Sequence, residues 1–242
     1  MKENVNRRYL LSQLKADELR KRLAWRCPLK GHAGHDGISH SSCYDMLHGK
    51  KLEERIGFFD IEAEDLKADF GITFCWVIID SQTDKMYSDV LTLNDIKKYS
   101  SKKRDVQPKE DTRIIKSFIE TTSKFDRLVG HFSSLFDLPF VRTRAVIDKV
   151  QFPSYGALYQ TDNWRTLKSK FKLSRNTQQN ATLKLLGKTR KDRLSLSIKH
   201  GCIRGEKWAL DLSLKHCKKD VLDARDLFYA IHFSIKRTKT SI

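Results

Sequence analysis

A chain of 242 residues with 39% hydrophobic content is long enough for one sizeable core with a small appendage, and too apolar to be disordered. Its 47 Lys and Arg against 30 Asp and Glu give a formal charge of +17. That surplus favours nucleic acid as partner; a membrane surface is not expected, because no amphipathic aromatic anchor accompanies the charge. With no signal peptide and no run of the roughly 18 apolar residues that a membrane helix needs, a cytoplasmic, intracellular location is expected.

Along the chain, residues 8–25 read as an amphipathic helix through Leu10, Leu11, Leu14, Leu19, Leu23 and Trp25. The pattern then breaks over residues 27–49, where CPLKGHAGHDGISHSSC (27–43) is a Gly-rich stretch with too few apolar residues to hold itself together by burial, for which a cross-link is the natural supposition. Two Cys and two His could supply it through tetrahedral zinc. His40-x2-Cys43 has the spacing of a ligand pair and Asp36-Gly37 is a turn that brings His35 back. Cys27, His35, His40 and Cys43 are therefore the candidate zinc ligands, with His32 the rival to His35. A metal-free loop that touches nucleic acid and a plain loop are the alternatives. The five cysteines (27, 43, 75, 202, 217) are scattered, which suits thiols or metal ligands in a reducing compartment rather than a disulfide framework.

Strands follow at 56–63, 70–80 and 85–92, the last two joined by the polar turn SQTD, and the charged segment 94–112 reads as a solvated insertion. IIKSFIETTSKF (114–125) is a helix by its i, i+3, i+4 spacing, RLVGHF a short strand, and FDLPFVRTRAVI a second helix with Asp137 in its first turn and Pro139 tolerated there. Short helices at 162–170 and 178–186 precede a long amphipathic helix over 212–233. Three strands followed by mixed strand and helix point to an α/β sheet of mixed direction. Between Arg165 and Lys207 stand thirteen Lys or Arg and two acids, so most of the net charge lies in one stretch. Lys168, Lys170, Lys172, Arg175, Lys188, Arg190 and Lys191 are the candidate nucleic-acid contacts there, and Trp164, Phe171 and Trp208, though better read as packing, could stack on a base.

The first strand, IGFFDIEA, carries Asp60 and Glu62 inside an apolar run. Residues i and i+2 share a face, so the two carboxylates point the same way and need a divalent cation, a Lys or Arg, or solvent to compensate them. A strand that ended near Phe59 would leave both at a solvated tip. Further acids stand at Asp137, on a strand-to-helix junction, and at Asp220, one helical turn after His216.

FDIEA, LVGHFSSLFDLPFV and HCKKDVLDARDLF, with TDNWRTLKSKFKLSRNTQQNATLKLLGKTRK between the last two, resemble the DEDD-type 3′-5′ exonucleases of the DnaQ-like, ribonuclease-H-like superfamily, in their polymerase-proofreading-like form, from about residue 55 to 232. The resemblance implies a ribonuclease-H-like mixed sheet flanked by helices over 51–242, with 1–50 a helix and Cys/His-rich appendage. It implies that Asp60, Glu62 and Asp220 ligate one Mg²⁺ or Mn²⁺, that Asp60 bridges to a second, that Asp137 holds that second ion, and that His216 orients or deprotonates the attacking water. The substrate implied is DNA, with single-stranded 3′ ends preferred; RNA, or binding without turnover, are the competing readings. A polymerase or other replication and repair proteins are the implied partners. The chain departs from the family pattern in two places: His216 stands where relatives carry Tyr, and Phe132 and Leu135 stand where relatives often carry Asn.

Overall fold

The computed structural model of the chain describes residues 16–28, 34–39, 41–48, 54–100, 109–235 and 242. It divides into two compact units, Met1–Glu54 and Arg55–Ile242.

In the first unit, helices α1 (Ala16–Ala24) and α2 (Ser41–His48) are described. Arg22 is fully buried; it donates to Glu18 Oε1 at 3.2 Å and to Gly37 O at 3.3 Å, and its guanidinium lies 4.4 Å over the Tyr44 ring. Tyr44 in turn stacks on His48 at 4.1 Å and meets Trp25 edge-on at 5.4 Å. Gly37 has no room for a side chain, since a Cβ would come within 2.6 Å of the Tyr44 ring. This Arg-aromatic knot gives the glycine-rich segment a tie that composition did not reveal. Helix α2 occupies part of the stretch expected to be irregular. Residues 8–15 of the expected helix, His32 and His40 lie outside the described residues.

The second unit is built on a five-stranded sheet of β1 (Ile56–Ala63), β2 (Thr73–Asp80), β3 (Met86–Val90), β4 (Arg127–Gly130) and β5 (Tyr159–Asp162), in the order β3-β2-β1-β4-β5. The β1–β2 and β2–β3 pairs are antiparallel, and β1–β4 and β4–β5 parallel. The helices are α3 (Leu93–Ser100), α4 (Thr112–Thr122), α5 (Asp137–Ile147), α6 (Asn163–Lys170), α7 (Gln178–Leu186), α8 (Leu196–Ile203) and α9 (Lys207–Ile231). The mixed α/β sheet flanked by helices matches the expectation. The start of segment 94–112 does not, because residues 93–100 are helical. Thr92 caps that turn by accepting from Asp95 N at 3.2 Å while Asp95 Oδ2 accepts from Thr92 N at 2.9 Å, a reciprocal box that the charge of the segment had masked.

Strand β1 lies between β2 and β4, and its alternation sorts side chains into two layers. Phe59, Ile61 and Ala63 join the larger apolar cluster with Trp76, Phe118 and Leu138, whereas Phe58 packs with Val77, Val129, Cys217 and Val221 on the α9 side. Phe74, Trp76 and Phe118 are core residues, as expected. Within the larger cluster Arg144 of α5 is fully buried. It donates to Asp111 Oδ1 at 2.6 Å, and Asp111 Oδ2 also accepts from Thr73 N at 2.8 Å, so one ion pair ties α5, the start of β2 and the entry to α4. Removing one partner of a buried pair strands the other charge. Arg144→Met should therefore lose roughly 3–5 kcal/mol of stability in urea titration, and a loss under about 1 kcal/mol would show that solvent reaches Asp111.

Candidate functional site

Asp60 and Glu62 project from β1 on the α9 side, beyond Phe58, which follows from their even register with it. Helix α9 crosses that face, and its four-residue spacing puts His216 and Asp220 over the strand. His216 Nδ1 is 2.8 Å from Glu62 Oε1 and 3.8 Å from Asp220 Oδ2. Cys217 donates its thiol to Asp60 O at 3.3 Å, clipping the helix to the strand, and Gln178 of α7 donates to Asp220 O at 2.6 Å. Asp137 enters from the first turn of α5 and accepts from Ile61 N at 3.2 Å. All five residues singled out in the sequence, Asp60, Glu62, Asp137, His216 and Asp220, thus gather in one place from β1, α5 and α9.

The electrostatics follow from that crowding. Burial raises the pKa of Asp60 well above the usual carboxylate value, and the charges of Asp137, Asp220 and Glu62 raise it further. Asp137 is pushed up to about 7, first by burial, against the backbone amide that supports its ionised form. Asp220 is raised as well, by burial first, with Lys191 opposing. The ligand atoms of Glu62, His216 and Asp220 lie within 4.8 Å of one another, and Asp220 Oδ1 is buried with no hydrogen-bond partner. A set of hard oxygen donors with an orphaned buried oxygen and mutual repulsion fits a small divalent cation.

Two cationic side chains answer the acids here. Lys191 lies on Asp220 Oδ2, and its pKa is raised in spite of burial by Asp220, Asp60 and Glu62. His216 is lifted to about 9: burial opposes the charge, but the Glu62 hydrogen bond outweighs it. Its Nε2 faces Asp192 O at 2.8 Å, so the imidazolium donates from both nitrogens and neither offers a lone pair to a water. The segment that brings these groups is bolted to α9. Thr189 Oγ1 and Arg190 N donate to Asp223 Oδ2 at 2.8 Å each, Arg190 also pairs with Asp226 at 2.9 Å, and Lys219 pairs with Asp192.

Of the seven basic residues expected to contact nucleic acid, Lys168, Lys170, Lys172, Arg175 and Lys188 are exposed, while Arg190 and Lys191 are engaged by the acids of α9. Cys27 and Cys43 are buried and His35 exposed, with Cys27 N donating to His35 O at 3.0 Å. Among the described residues these three do not form a group of ligand atoms as close as that of Glu62, His216 and Asp220.

Sequence reading missed Asp162. At the end of β5 it accepts from Phe132 N at 2.9 Å, Ser134 N at 3.0 Å and Ser134 Oγ at 2.6 Å, and it caps α6 through Trp164 N at 2.9 Å. One carboxylate thereby shapes the loop that delivers Asp137. Its cap position in TDNW was the available signal. Gly130 at the start of that loop is needed for close approach, since a Cβ would meet Ser133 Cβ at 2.6 Å.

The chain is similar in structure to the family B DNA polymerase from the hyperthermophilic archaeon Pyrobaculum calidifontis, with a TM-score of 0.52 and 16% identity over 73% of this chain. The match spans 24% of that polymerase chain, and at this identity it shows the fold alone, a ribonuclease-H-like α/β sheet. No protein-family profile and no curated protein sequence matches the chain. Among the described residues, no helix is long and apolar enough to cross a membrane.

His131, between Gly130 and Phe132, is neutral. Its Nε2 donates to Asn176 O at 2.9 Å, Nδ1 is buried without a partner among the described residues, and burial holds the pKa down to about 4. A base whose folded pKa lies below its unfolded value, roughly 6.5, contributes stability that is complete above that pH and is lost as pH falls toward 4. His131→Gln keeps a donor and does not titrate. Between pH 7.5 and 4.5 it should gain on the wild type by about 2–3 kcal/mol in urea unfolding, and parallel profiles would show that the ring is hydrated.

Proposed function

We propose that this chain is a metal-dependent 3′-5′ exonuclease of the DEDD type that hydrolyses phosphodiester bonds of DNA, taking single-stranded 3′ ends. One observation carries the reading: acids from three distant parts of the sequence, the half-buried Asp60 and Glu62 with the buried Asp137 and Asp220, crowd into one place, with an orphaned oxygen on Asp220. The ribonuclease-H-like fold and the exposed cations on α6 and α7 support it.

In this reading Asp60, Glu62 and Asp220 would hold one Mg²⁺ or Mn²⁺, and Asp60 and Asp137 would hold a second. When bound, two such ions stabilise the attacking water and the leaving 3′ oxygen of an in-line displacement. The protein's own part is positional. Ile61 N orients Asp137, Cys217 fixes the strand beneath Asp60, and His216 aligns Glu62. Either contact of His216 with a water, to orient it or to take its proton, would require Asp192 to release Nε2, so the ring's part as it stands is to align Glu62. Lys191 lies on Asp220 beside Asp60 and Glu62, where its ammonium would also suit a substrate phosphate. A polymerase or another replication or repair protein would be the working partner. In the first unit Cys27, His40 and Cys43, with His35 or His32, would hold a structural zinc.

On 5′-labelled single-stranded DNA with Mg²⁺ or Mn²⁺, the wild type should give a ladder that shortens from the unlabelled end. Asp60→Ala and Asp220→Ala should give none, while both variants still bind DNA through the basic face. Full retention of degradation in Asp60→Ala would remove the two-metal reading, degradation confined to RNA would move the substrate class, and binding without turnover in the wild type would leave a nucleic-acid-binding protein on a nuclease fold. For the zinc, metal analysis of the purified protein should find about one tightly held ion that is lost in Cys27→Ser and Cys43→Ser. A folded, zinc-free wild type would exclude it.

A further inference from the structure

Phe132 breaks two rules at once. Its backbone is left-handed at φ +67°, a conformation that a bulky residue rarely adopts, and its ring is 41% exposed. Neither property stabilises the fold. The conformation persists because the surroundings impose it: Phe132 N is held by Asp162 Oδ1 at 2.9 Å, and Phe132 O accepts from Leu135 N and Phe136 N at 3.0 Å each. Strain maintained by such over-determination marks a site where the side chain's direction matters.

The direction places Phe132 edge-on to Trp164 at 5.1 Å and 84°, with Leu135 of the same turn also exposed. Cations surround the pair. Lys168 Nζ sits 4.8 Å over the Trp164 ring, and Arg165, exposed, reaches Ser134 Oγ at 2.7 Å. The turn then runs directly into Asp137, five residues after Phe132.

We infer that Phe132, supported by Trp164, is a stacking platform for a nucleobase of a single strand whose phosphates are held by Lys168 and Arg165. An exposed ring face bordered by cations suits any base, since every base has a π-face, and it does not suit a duplex, whose bases are already stacked. The inference rests on the nuclease reading only for its choice of ligand. It makes this turn the origin of a single-strand preference at the acid cluster.

The test measures binding in EDTA, where no turnover occurs, by fluorescence anisotropy of labelled dT8, of dT8 with abasic residues at its 3′ end, and of a blunt hairpin. Wild-type protein should bind dT8 about 10- to 100-fold more tightly than the abasic strand or the hairpin. Phe132→Asn, whose side chain tolerates a left-handed backbone, should melt at the wild-type temperature or higher and lose the discrimination; Phe132→Leu, which stays apolar but lacks a ring, should lose it too, and Phe132→Trp should keep it. Equal affinity for dT8 and the abasic strand in the wild type, or undiminished discrimination in Phe132→Leu, would overturn the platform. A wild type that discriminates in this way but shows no metal-dependent shortening would instead remove the nuclease reading and leave the platform standing.

Discussion

Asp60, Glu62, Asp137 and Asp220 meet where water is scarce, and carboxylates so placed repel one another strongly unless positive charge stands among them. Much of the second unit is arranged around that difficulty. Burial and repulsion keep three of the acids reluctant to ionise, and Lys191 and His216 supply what compensation there is. The compensation is incomplete, since one oxygen of Asp220 is left without a partner. An arrangement selected only for stability would have used apolar side chains there.

Arg144 and Asp111 make the contrast. They too are buried charges, but both oxygens of Asp111 are occupied, by the Arg144 fork and by Thr73 N. The Asp111 carboxylate joins elements; Asp60, Glu62, Asp137 and Asp220, crowded on one another, leave room for a cation. The same distinction separates Asp162, whose contacts shape the turn before α5 and cap α6, from Asp137, which that turn presents.

The acids were legible because their logic is local. Period two put Asp60 and Glu62 on one face, a spacing of four put His216 over Asp220, and a strand-to-helix junction set off Asp137. The mixed α/β character and the first four strands were legible from the run of elements; the order of strands and the short β5, YQTD, were not. Lys191 and Asp162 were not legible in these roles, because each acts across about thirty residues: Lys191 looked like one more member of a basic stretch, and Asp162 like a helix cap. Helix α8 escaped because LSIKHGCI carries a glycine and little amphipathic contrast, and that glycine, Gly201, is where the helix comes up against Ala209 of α9. Arg22 escaped for the opposite reason, since a lone arginine on a charged helix gives no hint that an aromatic ring will cover it.

Strand β1 carries core and chemistry on opposite sides of a single pleat, paired to β2 along its whole length and to β4 at its start. Shifting it by one residue would turn Phe59 and Ile61 toward α9 and drive Asp60 and Glu62 into the apolar layer. The number of residues in this strand is therefore more rigidly fixed than their identities. Substitutions can wear the site away one side chain at a time, but a single insertion or deletion within β1 removes hydrophobic support and ligand geometry in the same step, and no gradual route leads back.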